Sequence, residues 1–357
     1  MPDHLLAVFP AYRDNPFLNL MLLAPRARGW NVLESLRLEQ LEQHLGRLGT
    51  GDVFHMHWTS PIVQRNDDDL EEAQARLDRF RTAVDAARAR GARLVWTIHN
   101  VLPHDARHLE LELELELNRY LADAADVVHV MNRDTPTAVS SYYELDPAKV
   151  VHLPHPSYQG VYPDSVSREE ARASLGLTDR DHAVLAFGQM RPYKGIDVLV
   201  EAVRALAPAE RPVLLLAGRT SDEDRAVIDS LLGDDVRAVR EHDHVEDVDV
   251  QRWFRAADLA VFPYRRVLNS GALHLAASFE VPAVLPDEPY LRAEFGGEEW
   301  VRWFDPSDAA SSVTPGSSLA SLLMGPAAAV GADVFSRRLA PFRRSRAYAE
   351  LLERVRG

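Results

Sequence analysis

The sequence predicts an α/β protein of two domains, each built on a parallel sheet, and three observations carry that prediction. The chain has 357 residues, more than one hydrophobic core readily serves, so two domains of ordinary size are expected. Apolar runs of strand length alternate with longer helical stretches, the pattern of βα units. The alternation restarts in the second half, after a segment at 155–181 rich in Pro, Ser, Tyr and charge that reads as a linker with a short lead-in helix at 168–175.

In the first half the strands are expected at 5–9, 53–57, 94–98, 127–131 and 150–153. Residues 69–90 form the clearest helix: carboxylates open it, arginines close it, and Gly91 falls where a C-cap belongs. Residues 109–117 read Leu-Glu-Leu-Glu-Leu-Glu-Leu-Glu-Leu. The period of two suggests a half-buried strand, but both residue types favour helix and 118–125 continues as one, so a helix is expected. On a helix those leucines spread around the surface, where some could meet a partner chain or lipid. In the second half strands are expected at 184–188, 213–217, 236–240, 259–262 and 283–285, with helices at 196–206, 221–232, 248–256 and 270–279 between them.

Composition narrows the function. A hydrophobic fraction of 46% and a charged fraction of 26% are those of a soluble globular protein, and no run approaches the roughly 20 apolar residues of a membrane helix. Asp3, His4 and Arg13 bracket only a short apolar run, so no signal peptide is expected and the site of action is expected to be cytoplasmic. The absence of cysteine excludes disulfides and thiolate metal sites. A net charge of −14 argues against nucleic acid as a partner. One basic segment, 337–346, leaves two readings open: contact with anionic lipid at the membrane face, or a solvated helix face.

Two loops carry the chemistry. The strand at 184–188 runs into Gly188-Gln189-Met190-Arg191-Pro192-Tyr193-Lys194-Gly195 and then a helix. Arg191 and Lys194 thus sit in a tight loop at a helix N-terminus, where glycines admit close backbone approach and anions bind. The strand at 259–262 is followed by a loop ending Asn269-Ser270-Gly271, with Asn269 or Ser270 as N-cap. Two anion cradles in one domain suit a diphosphate, and they would face each other if both strands share a sheet. Each alone also reads as an ordinary surface loop or capped helix.

The second half resembles the donor domain of GT-B glycosyltransferases, the class that includes the family 4 enzymes. The resemblance rests on Phe187-Gly188…Lys194-Gly195, Leu214-Leu215-Leu216-Ala217-Gly218, Ala256-Ala257-Asp258-Leu259…Phe262-Pro263-Tyr264 and Ser270-Gly271…Val281-Pro282-Ala283-Val284. Trp96-Thr97-Ile98-His99-Asn100 and Val151-His152-Leu153-Pro154-His155 extend it into the first half. It implies two Rossmann-like domains with parallel sheets facing across a cleft: 1–160 for the acceptor, 161–338 for the nucleotide sugar, and 339–357 as a helix packing back on the first domain. The motifs Asn15-Pro16-Phe17, His55-Met56-His57-Trp58, 99–105 and Pro154-His155-Pro156-Ser157-Tyr158 are similar to those of bacterial GDP-mannose-dependent β-1,4-mannosyltransferases of exopolysaccharide assembly.

The resemblance implies transfer of a hexose from a nucleoside diphosphate sugar, GDP-mannose foremost, to a glycan or lipid-linked acceptor, with no bound metal or other cofactor. Gly188, Arg191, Lys194, Asn269, Ser270 and Gly271 would hold the donor diphosphate. Family 4 retaining enzymes carry two glutamates where this chain has Leu268 and Leu275, and Gln189 replaces the usual arginine, with Arg191 as a substitute. These departures point toward inversion, which needs a general base. His99 and Asp105 are the candidates, although His99 could cap a turn and Asp105 could cap a helix. Phe17, Trp58 and Asn100 are candidates for holding the acceptor, with burial in the core the alternative for the aromatic pair. His55 and His57 alternate along a strand, but no third metal ligand stands at a matching spacing. Two rivals share the fold: an inactive scaffolding protein and a sugar-nucleotide epimerase.

Overall fold

The computed structural model describes residues 4–12, 15–64, 69–102, 108–265, 267–309, 318–325 and 327–357. The chain divides into two compact units, one of residues 1–156 with 341–357 and the other of residues 157–340. Each is a six-stranded parallel sheet flanked by helices.

In the first unit the strands are β1 (Leu5–Phe9), β2 (Asn31–Glu34), β3 (Val53–Met56), β4 (Arg93–Ile98), β5 (Val127–Val130) and β6 (Val150–His152), in the order β2-β1-β3-β4-β5-β6. The four strands β1, β3, β4 and β5 are almost wholly buried, because helices cover both faces. β2 lies at the sheet edge and carries Asn31 and Glu34 toward water. Its mixed composition is why no strand is expected there from sequence.

The helix Leu70–Ala89 begins where the sequence places it: the Asp69 carboxylate caps the Glu72 amide at 2.8 Å. The Leu-Glu run is helical too, within His108–Ala124. Leu113, Leu117 and Leu121 recur every four residues and point into the core, and Leu111 and Leu115 are half-buried. The described leucines of the run therefore pack within the unit. The final helix, Pro341–Val355, contributes Tyr348, Leu351 and Leu352 to a cluster with Leu6, Val8 and Trp30. Ser345 fastens it by accepting from the Ala24 amide at 2.7 Å and donating to the Met21 carbonyl at 2.8 Å.

In the second unit the strands are β7 (Ala183–Phe187), β8 (Val213–Ala217), β9 (Ala238–Glu241), β10 (Leu259–Val261), β11 (Ala283–Pro286) and β12 (Val301–Phe304), ordered β12-β11-β10-β7-β8-β9. β12, an edge strand with half-buried Arg302 and Trp303, is again one the sequence does not announce. The chain winds outward from β7 through β8 to β9, then returns to lay β10 on the other side of β7. The switch point of this sheet, where ligands of open α/β sheets bind, therefore lies between β7 and β10.

The segment 157–181 is no free linker. Ser157 is tied to the Leu339 and Ser336 carbonyls, both at 2.8 Å, and the Tyr158 amide donates to Ser278 Oγ at 2.9 Å. Its helix, Arg168–Ser174, is closed by a capping box at Ser167 and Glu170. Arg172 is buried there and binds the carbonyls of Ala256 and Thr178 at 2.9 and 2.6 Å, with Asp258 as counter-ion at 3.3 Å. Polar composition marked the segment as exposed, but its polar groups are spent on fastening it to the unit.

Candidate active site

The two loops singled out from sequence leave neighbouring strands, β7 and β10, at the switch point of the second sheet. After β7 the chain forms a short turn, Pro192–Lys194, and Gly195 then opens the helix Ile196–Arg204. Gly195 has φ +70°, and a Cβ there would stand 2.0 Å from the Pro263 carbonyl oxygen. Only glycine lets the two loops lie this close. Arg265 locks them by donating to the Pro192 carbonyl at 2.9 Å and pairing with Asp197, while its own amide donates to the Tyr193 carbonyl at 2.9 Å.

Lys194 is half-buried. Its Nζ donates to the Tyr264 hydroxyl at 3.1 Å and lies 4.8 Å from the centre of that ring. The Tyr264 hydroxyl is in turn 3.0 Å from Ser270 Oγ, which caps the helix Gly271–Ser278 by accepting from the Leu273 amide at 3.3 Å. One polar chain thus joins the cation of the first loop to the helix N-terminus of the second. Gly188, at the end of β7, sits against Lys194: a Cβ on it would be 3.4 Å from Nζ. Among the described residues no carboxylate pairs with Lys194, and burial pulls its pKa down. A half-buried ammonium beside a helix N-terminus is a site that an anion completes.

Arg191 and Asn269 flank this point and are half-buried. The Arg191 guanidinium holds the Gln189 side-chain oxygen, with Nη2 at 2.9 Å and Nε at 3.2 Å once the amide is oriented by its hydrogen bonds. Gln189 therefore positions Arg191. Leu268 and Leu275 are 3% and 4% exposed, so the places of the two family 4 glutamates are core positions here.

At the carboxyl ends of β3 and β4 in the first unit lies a histidine-rich layer. Its order follows from one fixed acceptor. His129 Nε2 donates to the Leu153 carbonyl at 2.8 Å, so its Nδ1 accepts from Thr97 Oγ1 at 2.8 Å. Thr97 then accepts from His55 Nε2 at 2.7 Å, and His55 Nδ1 accepts from the Tyr348 hydroxyl at 2.5 Å. Burial, reinforced by neighbouring imidazoles, holds the pKa of His55, His57 and His99 well below 6.5 and that of His129 and His155 near 4, so all five rings are neutral at pH 7. Both nitrogens of His55 are engaged, and no group of three or more metal-ligating side chains exists among the described residues.

His99 stands at the edge of this layer. Its Nε2 is 3.1 Å from His57 Nδ1, and its ring stacks on Trp58 at 4.0 Å. Trp58, His99 and Asn100 line a cavity of about 190 Å³ with Thr59, Gln64, Glu114 and Asn118. Phe17 needs correction as an acceptor platform. It does not line that cavity, and its ring lies 5.3 Å from that of His99 and 5.1 Å from that of His155, so it backs the histidines from within the core. The face Trp58 turns to His99 is likewise unavailable to a sugar, although the indole still walls the cavity. Asp105 lies outside the described residues. Glu114 is the site residue that sequence reasoning missed. The i, i+4 partner Asn118 was the available signal, hidden by the identical glutamates on either side.

A pair of parallel α/β units, with a cation-bearing cradle at a switch point, is the GT-B glycosyltransferase architecture, and residues 181–311 match the family described as glycosyl transferases group 1. The fold is of the GT-B class, and the family match lies wholly within the second unit. Among individual proteins it is similar to GDP-mannose:glycolipid 4-β-D-mannosyltransferase of Xanthomonas campestris pv. campestris, 25% identical over 255 residues that span 70% of this chain and 66% of that protein. A lipopolysaccharide core biosynthesis mannosyltransferase of Rhizobium meliloti, LpsB, is 34% identical over 108 residues, 28% of this chain and 29% of the relative. The chain thus matches just under two thirds of the first relative's length. Of solved structures, Anabaena Alr3699/HepE in complex with UDP and glucose superimposes with a TM-score of 0.69 at 14% identity, covering 98% of this chain and 99% of that one. WaaG, a glycosyltransferase involved in lipopolysaccharide biosynthesis, gives 0.61 at 15%, covering 98% and 99%. No described helix is long and apolar enough to cross a membrane.

Proposed function

We propose that the protein transfers a hexose, mannose foremost, from a nucleoside diphosphate sugar to a hydroxyl of a glycan or glycolipid acceptor. The observation that carries this reading is the Lys194–Tyr264–Ser270 chain at the switch point, a cation and helix amides that no described carboxylate neutralises. The diphosphate would lie against Gly188, Lys194, Ser270 and Gly271, with Arg191 and Asn269 at its side. These groups meet charge as it develops on the leaving diphosphate, the largest catalytic contribution such a site offers. Because the chain supplies these cations itself, turnover is expected to survive a chelator. GDP-mannose is the donor suggested by the Xanthomonas relative.

With leucines in place of both glutamates, inversion is the outcome we assign. The acceptor oxygen attacks the anomeric carbon, the bond from that carbon to the diphosphate breaks, and the diphosphate leaves with the bonding pair. The hydroxyl proton passes to a base, and His99, neutral and hydrogen-bonded to His57, is the described residue suited to take it.

The test is thermal unfolding with GDP, UDP, ADP and dTDP at equal concentration. A ligand bound only by the folded state stabilises it by about 2.7 kcal/mol at a hundredfold excess over Kd. A shift with GDP that disappears in Lys194→Ala supports the reading. No shift with any of the four nucleotides rejects it.

A further inference from the structure

The Leu-Glu helix places one of its glutamates where a helix surface would not. Glu114 is 1% exposed and lines the cavity beside His99 and Asn100. Its carboxyl accepts from the Thr59 hydroxyl and from Gln64 Nε2, the latter at 3.1 Å, and Asn118 adds a third hydrogen bond. Among the described residues no lysine or arginine lines the cavity. At about 190 Å³ the space is below the ~300–1,000 Å³ of pockets for drug-sized ligands and suits one sugar ring.

We propose that this cavity is a subsite for a single uncharged pyranose, in which the Glu114 carboxylate accepts a hydroxyl and turns away sugars bearing a carboxylate or phosphate. The inference rests on reading the protein as a glycosyltransferase, since it names the acceptor class of that reaction. The chemistry is one of lone pairs and charge. An ionised carboxyl has about four acceptor positions, three of them met by Thr59, Gln64 and Asn118. The remaining one suits a hydroxyl donor, and Asn100 and the histidines can serve the neighbouring hydroxyls. A second anion brought into the cavity meets Glu114 with no described cation to offset it, at a separation where like charges repel strongly in a partly dry site.

Among the described residues, charge in the cavity is set by Glu114. Burial raises its pKa to about 7. His57 and His99 are held neutral, and the Tyr143 phenol, pushed up by burial and by Glu114, stays protonated. Of the arginines on the adjoining helix, Arg76 is turned to the Ile62 carbonyl and Arg81 to Glu116.

The experiment measures binding of methyl β-D-glucopyranoside and methyl β-D-glucuronide to the full-length protein by ligand-observed NMR. These probes differ only at C6. The glucoside is expected to bind at least about tenfold more tightly above pH 7, where Glu114 is ionised. The preference should shrink as pH falls to about 5.5 and Glu114 takes its proton. Glu114→Gln should reduce the preference to threefold or less, on the order expected once the like charge is gone, while the nucleotide-induced thermal shift stays as in the parent. Equal or tighter binding of the glucuronide, a preference that Glu114→Gln leaves intact, or failure of both probes to bind each overturns the proposal. Because nucleotide binding is read separately in the second unit, loss of that signal would reject the glycosyltransferase reading without touching this result. The pH series needs no variant and stands if Glu114→Gln folds poorly.

Discussion

Two residues of the second unit carry separable predictions. Lys194, the cation proposed to meet the diphosphate, does little for the fold, since its Nζ bonds only a hydroxyl in the described structure. Lys194→Ala should therefore lower kcat by about a hundredfold or more, the scale seen when a donor to developing negative charge is removed, with an unchanged unfolding midpoint. Near-normal turnover would dismiss the assignment. Gly195 behaves in the opposite way. A methyl group there meets a carbonyl oxygen at 2.0 Å in a backbone conformation that disfavours side chains. Gly195→Ala should cost about 1–3 kcal/mol of stability and also part the two loops, so nucleotide affinity and urea midpoint should fall together. A variant as stable as the parent would show that the loops need not touch.

At the level of elements, the hydrogen-bonded row from Tyr348 through His55, Thr97 and His129 to Leu153 crosses the first sheet and ends on the last helix. Tyr348→Phe removes the donor that reaches His55 Nδ1 in a fully buried place and should cost about 1–3 kcal/mol in urea unfolding. Proton NMR should show both His55 and His129 carrying hydrogen on Nε2; the other tautomer at either ring would break the proposed order. Much of the element plan was legible in the sequence. The buried strands read as continuous apolar runs, and the helix Leu70–Ala89 announced itself through Asp69 and the arginines at its end. Of the four edge strands β6 and β9 were legible, but β2 and β12 were not, because an edge strand need not be apolar when one flank faces water. The loops around Lys194 and Ser270 were legible because glycine, cation and cap recur at fixed places along the chain. Glu114 was not, since burial of one glutamate among several depends on helix phase against a pocket built by distant residues.

For the whole molecule, the buried histidines set a pH limit. His55, His57, His99, His129 and His155 have folded pKa values below the unfolded value of about 6.5. Below that pH the unfolded chain takes up protons that the folded one refuses, so stability is present above about pH 6.5 and is lost as the solution becomes more acid. Each ring adds up to about 1.4 kcal/mol per pH unit. Glu114 acts the other way, its raised pKa favouring the folded state on the acid side, but it is one group against five. The urea midpoint should fall steeply from about pH 6.5 toward pH 4, and a flat profile would mean that the rings are not buried as described.

The first unit is made from both ends of the described chain, with the second unit inserted between Pro156 and Pro341. Entry and exit lie side by side on the inserted unit, where the Ser157 amide bonds the Leu339 carbonyl at 2.8 Å. During vectorial synthesis the insert can close as soon as residue 340 clears the ribosome. The unit begun first must wait, its sheet edge and the Tyr348 end of its histidine row uncovered, until Pro341–Val355 arrives. Nascent-chain stalling just before that helix should therefore leave a folded second unit attached to a first unit that is still open to proteases.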